Sequence, residues 1–400
     1  MPQKSWDSRA EACLAQGCVT YSKRSDQFVK GVFPTHAVKT PWGPQKTCKI
    51  KACFYGEPLK EYVDMIGGLG STILYPENNY CLPSPREIYL AEMVKARFPF
   101  IDKIKILKTG SEACQAAIRI ARAYQRNAGR TRDFLVLGNG YHGWHSVFIS
   151  AEHPGTGTFY ERYIRVNTLQ EVIDTLQARA CTYCAVIVEP VQLDISEEHV
   201  KKLEKLRRIC SNQNTVLIFD EVVTGFRVPN YCVANYLGIH PDLICLGKAM
   251  ANGYPISVIG GKAEFMDTLG YFVSSTFAGE LSAIDAAINT MKALTPTVLQ
   301  KLWDKGAKFQ REFNAITPKL QLIGIPTKMV YEGDDMTKHL FWQEMCLRGF
   351  LTGKALHIFV SHTPKILKSF LTNAKKCLDK IQAGKVKLKG QMSKPVFARY

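Results

Sequence analysis

Thr215-Val216-Leu217-Ile218-Phe219-Asp220-Glu221 decides the fold. An apolar run is followed at once by two acids. A run this short, with no polar alternation, suits a strand buried on both faces, and such strands belong to parallel sheets covered by helices. Runs of the same kind recur at 104–107, 134–137, 184–188, 242–246 and 256–259. Helical patterns lie between them. Over 112–126, Ala113, Ala116, Ala117, Ile120, Ala121 and Tyr124 form one apolar stripe, and a second helix is expected over 200–211. Alternating strands and helices predict an α/β fold around a mostly parallel sheet. Ligands in such folds bind outside the carboxyl ends of the strands, where Asp220 and Glu221 stand.

Composition bounds the rest. The chain has 400 residues, 46% of them apolar and 22% charged, which excludes a largely disordered or fibrous chain and favours two domains. No apolar run approaches the ~18 residues of a membrane helix. The first ten residues are polar and lack a secretory signal. Thirteen scattered cysteines, an odd count, argue for a reducing cytoplasm over a secreted disulfide scaffold. Cys181-x-x-Cys184 has no second pair at zinc spacing, so no metal is expected. No ATP phosphate loop and no Gly-x-Gly-x-x-Gly after a strand occurs.

The net charge is +17, and residues 365–400 hold ten Lys or Arg against Asp379 alone. A second basic cluster is Lys201, Lys202, Lys205, Arg207 and Arg208. Such charge attracts phosphate polymers or acidic substrates. A solvated face with a solubilising tail is the plainer reading.

The ends of the chain differ from its middle. Residues 1–51 are rich in turn formers. Amphipathic helices are expected over 298–313, 339–348 and 365–381, with an extended piece at 356–360. This divides the chain into an N-terminal segment (1–60), a large domain (61–295), a C-terminal part of a smaller domain (296–383) and a basic tail (384–400). The smaller α/β domain is then built from both termini. Gly384 and Gly390 among lysines suggest a mobile end.

Four motifs could carry chemistry. Asp220 ends one strand, although Asp is also a common helix cap. Lys248 ends another, in Leu246-Gly247-Lys248-Ala249, and apolar surroundings can make a lysine nucleophilic. Gly110 and Ser111 precede the striped helix. Ser111 suits an N-cap, and that end of a helix holds phosphate readily. Gly140-Tyr141-His142-Gly143-Trp144 follows a strand and could cover a planar ligand. Each motif alone has a structural explanation. Together, a phosphate cradle, an aromatic lid, a carboxylate and a lysine are what pyridoxal phosphate needs.

The ordered series is more specific still. It comprises Ile218-Phe219-Asp220-Glu221-Val222-Val223-Thr224-Gly225-Phe226-Arg227, Pro241-Asp242-Leu243, Leu246-Gly247-Lys248-Ala249 and Gly260-Gly261. Val188-Glu189-Pro190-Val191, Tyr141-His142-Gly143, Ser275-Thr276-Phe277-Ala278-Gly279-Glu280 and Ser361-His362-Thr363 support it. From about residue 62 to about 380 the chain resembles the class III pyridoxal-phosphate aminotransferases of fold type I, in their glutamate-1-semialdehyde aminotransferase-like branch. The resemblance implies that Lys248 carries the cofactor as an imine and that Asp220 pairs with the pyridinium. It implies that Gly110 and Ser111 bind the phosphate, and that Tyr141 and Val222 cover the two ring faces. Thr276 would reach the phosphate of the neighbouring subunit in a homodimer, and Glu189 would be an acid near the site.

Two departures bear on the substrate. Asp194 stands where the branch often has an Asn near the cofactor's phenolic oxygen. The stretch 31–37 lacks the arginine that grips the semialdehyde's carboxylate, and Lys39, the nearest cation, lacks the planar fork. His357 is a candidate for the substrate pocket, with a packed core position as the alternative. The expected activity is amino transfer from an amino donor to a carbonyl acceptor, both small molecules. Decarboxylation, aminomutation or epimerisation of an amino group carried by a nucleotide or nucleic acid is the first alternative. A nucleic-acid-binding protein on a degenerate form of the fold is the second. A polyanionic substrate would suit the basic charge.

Overall fold

The computed structural model describes residues 5–28, 33–38, 49–73, 78–129, 134–138, 140–145, 148, 163–180 and 182–393. Gly31, Val32, Lys39, Cys181 and the last seven residues lie outside these. Among the described residues thirteen strands form three sheets. The N-terminal sheet holds β1 (His36–Val38), β2 (Lys49–Cys53) and β3 (Lys60–Val63). The central sheet holds β4 (Lys103–Leu107), β5 (Phe134–Leu137), β6 (Tyr163–Arg165), β7 (Tyr183–Val188), β8 (Val216–Glu221), β9 (Leu243–Leu246) and β10 (Ser257–Gly261). The C-terminal sheet holds β11 (Leu320–Ile325), β12 (Lys328–Gly333) and β13 (Ala355–His357).

The central order is β4-β10-β9-β8-β7-β5-β6. Strands β5 to β9 pair in parallel, while β10 runs antiparallel to both its neighbours. Alternate side chains of β8 enter two different cores, as the period of two demands. Leu217 and Phe219 join one core with Val186, Val188, Ile244 and Leu246. Val216 and Ile218 join the other, against Ala113, Ala117 and Ile120 of the Gly110–Asn127 helix. Full burial of a side chain such as Phe219 contributes about 1.5–3 kcal/mol, so the uninterrupted apolar run is required by the sheet's two covered faces.

Asp220 and Glu221 stand at the carboxyl end of β8, as expected, still paired with Cys245 and Leu246 of β9. Two expectations are corrected. Thr109, and not Ser111, caps the Gly110–Asn127 helix: its hydroxyl accepts the N–H of Glu112, and Glu112 accepts the N–H of Thr109 at 2.7 Å. This reciprocal capping box leaves Ser111 free for other contacts. The tail as far as residue 393 is also not loose. Gln343, on the Asp335–Cys346 helix, donates to the Lys387 carbonyl at 3.1 Å and accepts from Lys389 N–H at 2.7 Å, and His339 meets Ser393. Lys385, Lys387 and Lys389 are exposed, while Val386 and Leu388 turn inward.

The C-terminal sheet has its own core, built on Phe309, Phe313, Tyr331, Phe341 and Phe370. The Pro364–Gln382 helix buries Phe370, Ala374, Cys377 and Leu378 there and exposes Lys365, Lys368, Lys375, Lys376 and Lys380. The other basic cluster, on the Glu197–Gln213 helix, is partly neutralised. Arg207 pairs with Asp242 at 3.0 Å and Lys202 with Glu198 at 2.7 Å. Among the described residues no helix is long and apolar enough to cross a membrane.

Candidate active site

Four of the sequence motifs meet beyond the carboxyl ends of β8 and β9. A chain of close approaches links them. A Cβ built on Gly110 would stand 2.7 Å from Val222 Cγ1, and one on Gly247 would stand 3.5 Å from the same methyl. A Cβ on Gly143, whose φ is +111°, would stand 2.4 Å from Ser111 Oγ. The backbones that carry the lysine, the helix start and the aromatic turn therefore pack together because three glycines let them. Ser257 Oγ at the start of β10 ties in the helix cap by donating to the Thr109 carbonyl at 2.7 Å.

The two acids at the end of β8 point to opposite faces and do different work. Glu221 is fully buried and accepts the N–H groups of Val233 at 2.6 Å and Ala234 at 2.9 Å, plus the Thr224 hydroxyl at 2.9 Å. It holds the start of the Val233–Leu237 helix, and burial pushes its carboxyl up to about 7. Asp220 faces the site. Its Oδ2 meets His142 Nδ1 at 2.8 Å, and its Oδ1 accepts the N–H of Val222 at 3.1 Å. Both side chains are almost wholly buried. His142 Nε2 is buried without a hydrogen-bond partner among the described residues. Beneath Asp220 lie the Cys114 and Cys245 thiols, and the Cys114 thiol is pushed well up, first by its contact with Cys245 and then by burial.

Glu189, at the end of β7, accepts the backbone N–H of Tyr141 at 2.9 Å. It thereby fixes the turn whose Tyr141 ring is half exposed. Ser111 Oγ accepts the Trp144 N–H at 3.3 Å. Lys248 follows β9 in a left-handed conformation, φ 44°, and its side chain is exposed. It lines a cavity of about 990 Å3 together with Phe226, Arg227, Tyr254 and Phe359. Thr276 is exposed, with its carbonyl held by Asn79 Nδ2 at 3.0 Å.

The two substrate candidates part company. His357 in β13 lies close enough to Arg227, Lys328 and Lys248 to feel their charge, and burial first, then these cations, pull it down to about 4. Asp194 makes its contacts within its own turn. It is exposed and accepts from Ser196 N–H at 2.8 Å and Ser196 Oγ at 3.0 Å. Its acid is lowered first by that backbone bond. Sequence reasoning assigned no role to His142, Arg227 or Lys328. His142 was quoted within its motif, but nothing local indicated that it would clamp Asp220.

The residues fit pyridoxal phosphate. Asp220 is a buried carboxylate with no lysine or arginine paired to it among the described residues, as the partner of a protonated pyridine would be. The N–H groups of Gly110 and Ser111 fall in the helix's first turn, where no intrahelical acceptor exists. The absent Cβ atoms at Gly110 and Gly143 let Val222 and the aromatic turn close in on that helix end.

The family described as Aminotransferase class-III matches residues 80–328. The chain is 32% identical over 299 residues to a glutamate-1-semialdehyde 2,1-aminomutase of Nitrosopumilus maritimus, covering 69% of this chain and 68% of that one. It is 29% identical over 337 residues to the enzyme of that name from Nitrosomonas europaea, covering 74% and 77%. Among solved structures, it resembles an omega-transaminase from Sphaerobacter thermophilus with a TM-score of 0.67 at 18% identity, over 94% of this chain and 97% of that one. The ornithine aminotransferase of Toxoplasma gondii superposes with a TM-score of 0.65 at 18% identity, over 90% and 94%. These two structural likenesses speak for the fold.

Proposed function

The chain belongs to the class-III aminotransferases, pyridoxal-phosphate enzymes of fold type I, and from that premise we propose that it transfers an amino group from an amino donor to a carbonyl acceptor. The observation that carries this reading is the clamped Asp220 at the end of β8 beside Lys248 at the end of β9, both joined to the helix start through Val222. Bound there, the cofactor supplies an electron sink for the carbanion formed at the substrate's amino carbon. Lys248 is the residue that would hold the cofactor covalently and then move the proton. Asp220, oriented by His142, would keep the pyridine nitrogen protonated. Gly110 and Ser111 would hold the phosphate, Tyr141 and Val222 the two ring faces, and Glu189 the aromatic turn. In this reading residues 61–295 bind the cofactor, and 296–383 close over the substrate.

The curated relatives are named for an intramolecular transfer, an aminomutase reaction. We read the present chain as acting between two molecules because the 31–37 stretch has no arginine to retain the semialdehyde's carboxylate. We also read it as a homodimer. Thr276 and Phe277 are exposed in one chain, and a closed twofold pair is the commonest assembly. The decisive experiment loads the purified protein with pyridoxal phosphate and adds single amino acids and amines, glutamate 1-semialdehyde among them. Conversion of the cofactor absorbance by a donor, and its return with a keto acid, is the expected result. A protein that converts the semialdehyde alone, with no exchange between molecules, would overturn intermolecular transfer. One that never binds the cofactor would overturn the reading altogether.

A further inference from the structure

We propose that Arg227 and Lys328 form an oxyanion-binding subsite beside Lys248, and that the amino substrate therefore also carries a carboxylate or a phosphate. This rests on the reading of Lys248 above and deepens it by naming the substrate class.

Arg227 reaches the cavity from the loop after β8. Its backbone is fixed: its N–H donates to Thr224 at 3.0 Å, and its carbonyl accepts the Thr327 hydroxyl at 2.6 Å. The adjoining Val228 packs with Val191, Val233 and Ile325. The Thr327 bond brings the start of β12 against this loop, and Lys328 is the next residue. Lys328 Nζ donates to the Gln192 carbonyl at 3.3 Å, and Lys328 pairs with His357 across the β12–β13 ladder. Residues 100 positions apart are thus locked side by side by short polar contacts.

The charges do not balance. Arg227, Lys328 and Lys248 are mutually near, and Glu189 is the one acid acting on Lys328. Among the described residues no carboxylate forms an ion pair with Arg227 or with Lys328. Half-buried cations that outnumber the acid beside them are costly. Burial lowers the Arg227 guanidinium, and Lys328 is lowered first by burial and then by the two neighbouring cations against the pull of Glu189. An arriving oxyanion relieves all three. The guanidinium fork matches a carboxylate or a phosphate through two parallel bonds, and the neutral His357 imidazole can add a hydrogen bond. Phe226, Leu294, Leu302 and Phe359 give the cavity apolar walls for the arm between anion and amine. The C-terminal sheet thereby supplies the cation that residues 31–37 lack.

The test uses the full-length, cofactor-loaded protein and calorimetric titration with glutarate, inorganic phosphate and the uncharged glutaramide. Glutarate or phosphate should bind at least tenfold more tightly than glutaramide, and whichever binds better names the anion. Lys328→Gln and Arg227→Gln should each weaken anion binding about tenfold or more, with cofactor absorbance and circular dichroism unchanged, and Lys328→Arg should restore it. A second arm compares the rates at which 4-aminobutyrate and butylamine change the cofactor spectrum. The preference for the charged amine should collapse in Lys328→Gln. Equal binding of glutarate and glutaramide, or wild-type anion affinity in both variants, overturns the subsite. If anions bind as expected while no amine alters the spectrum, the subsite stands and the amino-transfer reading falls.

Discussion

Around Asp220 the carboxylate is answered from within the chain: one oxygen by His142, the other by the Val222 N–H, with Glu189 and Ser111 each holding a backbone donor of the aromatic turn. Around Lys328, cations stand near one another with a single acid among them. The first region is finished before any substrate arrives. It sits at the ends of parallel strands locked in two cores, and that rigidity keeps a charge fixed for chemistry. The second region stays incomplete without an anion, and it joins two separate sheets. The contrast assigns chemistry to the central sheet and choice of substrate to its contact with the C-terminal sheet.

Removing the one group that must react breaks the finished region most severely. Lys248→Ala should lower turnover about a thousandfold or more. Borohydride treatment should fix the cofactor on the peptide holding Lys248 in the wild type and leave the variant unlabelled. Asp220→Asn comes next. It keeps the shape and loses the charge, and turnover should fall on the order of a hundredfold while cofactor absorbance persists. An unchanged rate in either variant would mean that the finished region is scaffolding.

Gly143→Ala should weaken cofactor affinity by about tenfold, since the added methyl meets Ser111 Oγ and an alanine held at a φ of +111° pays about 1–3 kcal/mol in strain. Equilibrium dialysis of pyridoxal phosphate measures it. Such a change should leave the glutarate affinity of the second region intact, which sharpens the division. Truncation after Ala383 touches neither region. It should leave cofactor absorbance unchanged and reduce retention on DNA, an effect that fades as salt releases the counterions. No retention of the full-length chain at low salt would leave Lys385, Lys387 and Lys389 a purely solvating role.

The smallest effect concerns acid. Burial holds His36 and His357 down to about 4, below the 6.5 of a free imidazole. The unfolded chain therefore binds more protons than the folded one between those values. Stability should be complete above about pH 6.5 and decline as pH falls toward 4. Melting temperatures between pH 7.5 and 5 record this, and His357→Gln should flatten part of the decline.

The central strands were legible because burial on both faces leaves no room for polar alternation, and their ends pointed to Asp220 and Lys248. What lay in long-range contacts was not. Asp220 and Glu221 are adjacent and chemically alike, and only the pleat sends one to the site and the other to a helix start. Asp194 bonds its own turn through Ser196, a local contact that its place in the sequence did not announce. Lys328 gains its meaning from Arg227, which precedes it by about a hundred residues. The tail's glycines signalled freedom, yet two bonds from Gln343 hold the segment in place.

The left-handed backbone at Lys248 also bears on the enzyme's durability. A side chain other than glycine's pays about 1–2 kcal/mol to stand there, against a total folding stability of only ~5–15 kcal/mol. Replacing Lys248 with glycine should therefore give an inert protein that withstands heat slightly better than the active one. The lysine's place in the chain is one that selection for thermal endurance alone would give up, and it persists only while turnover is under selection.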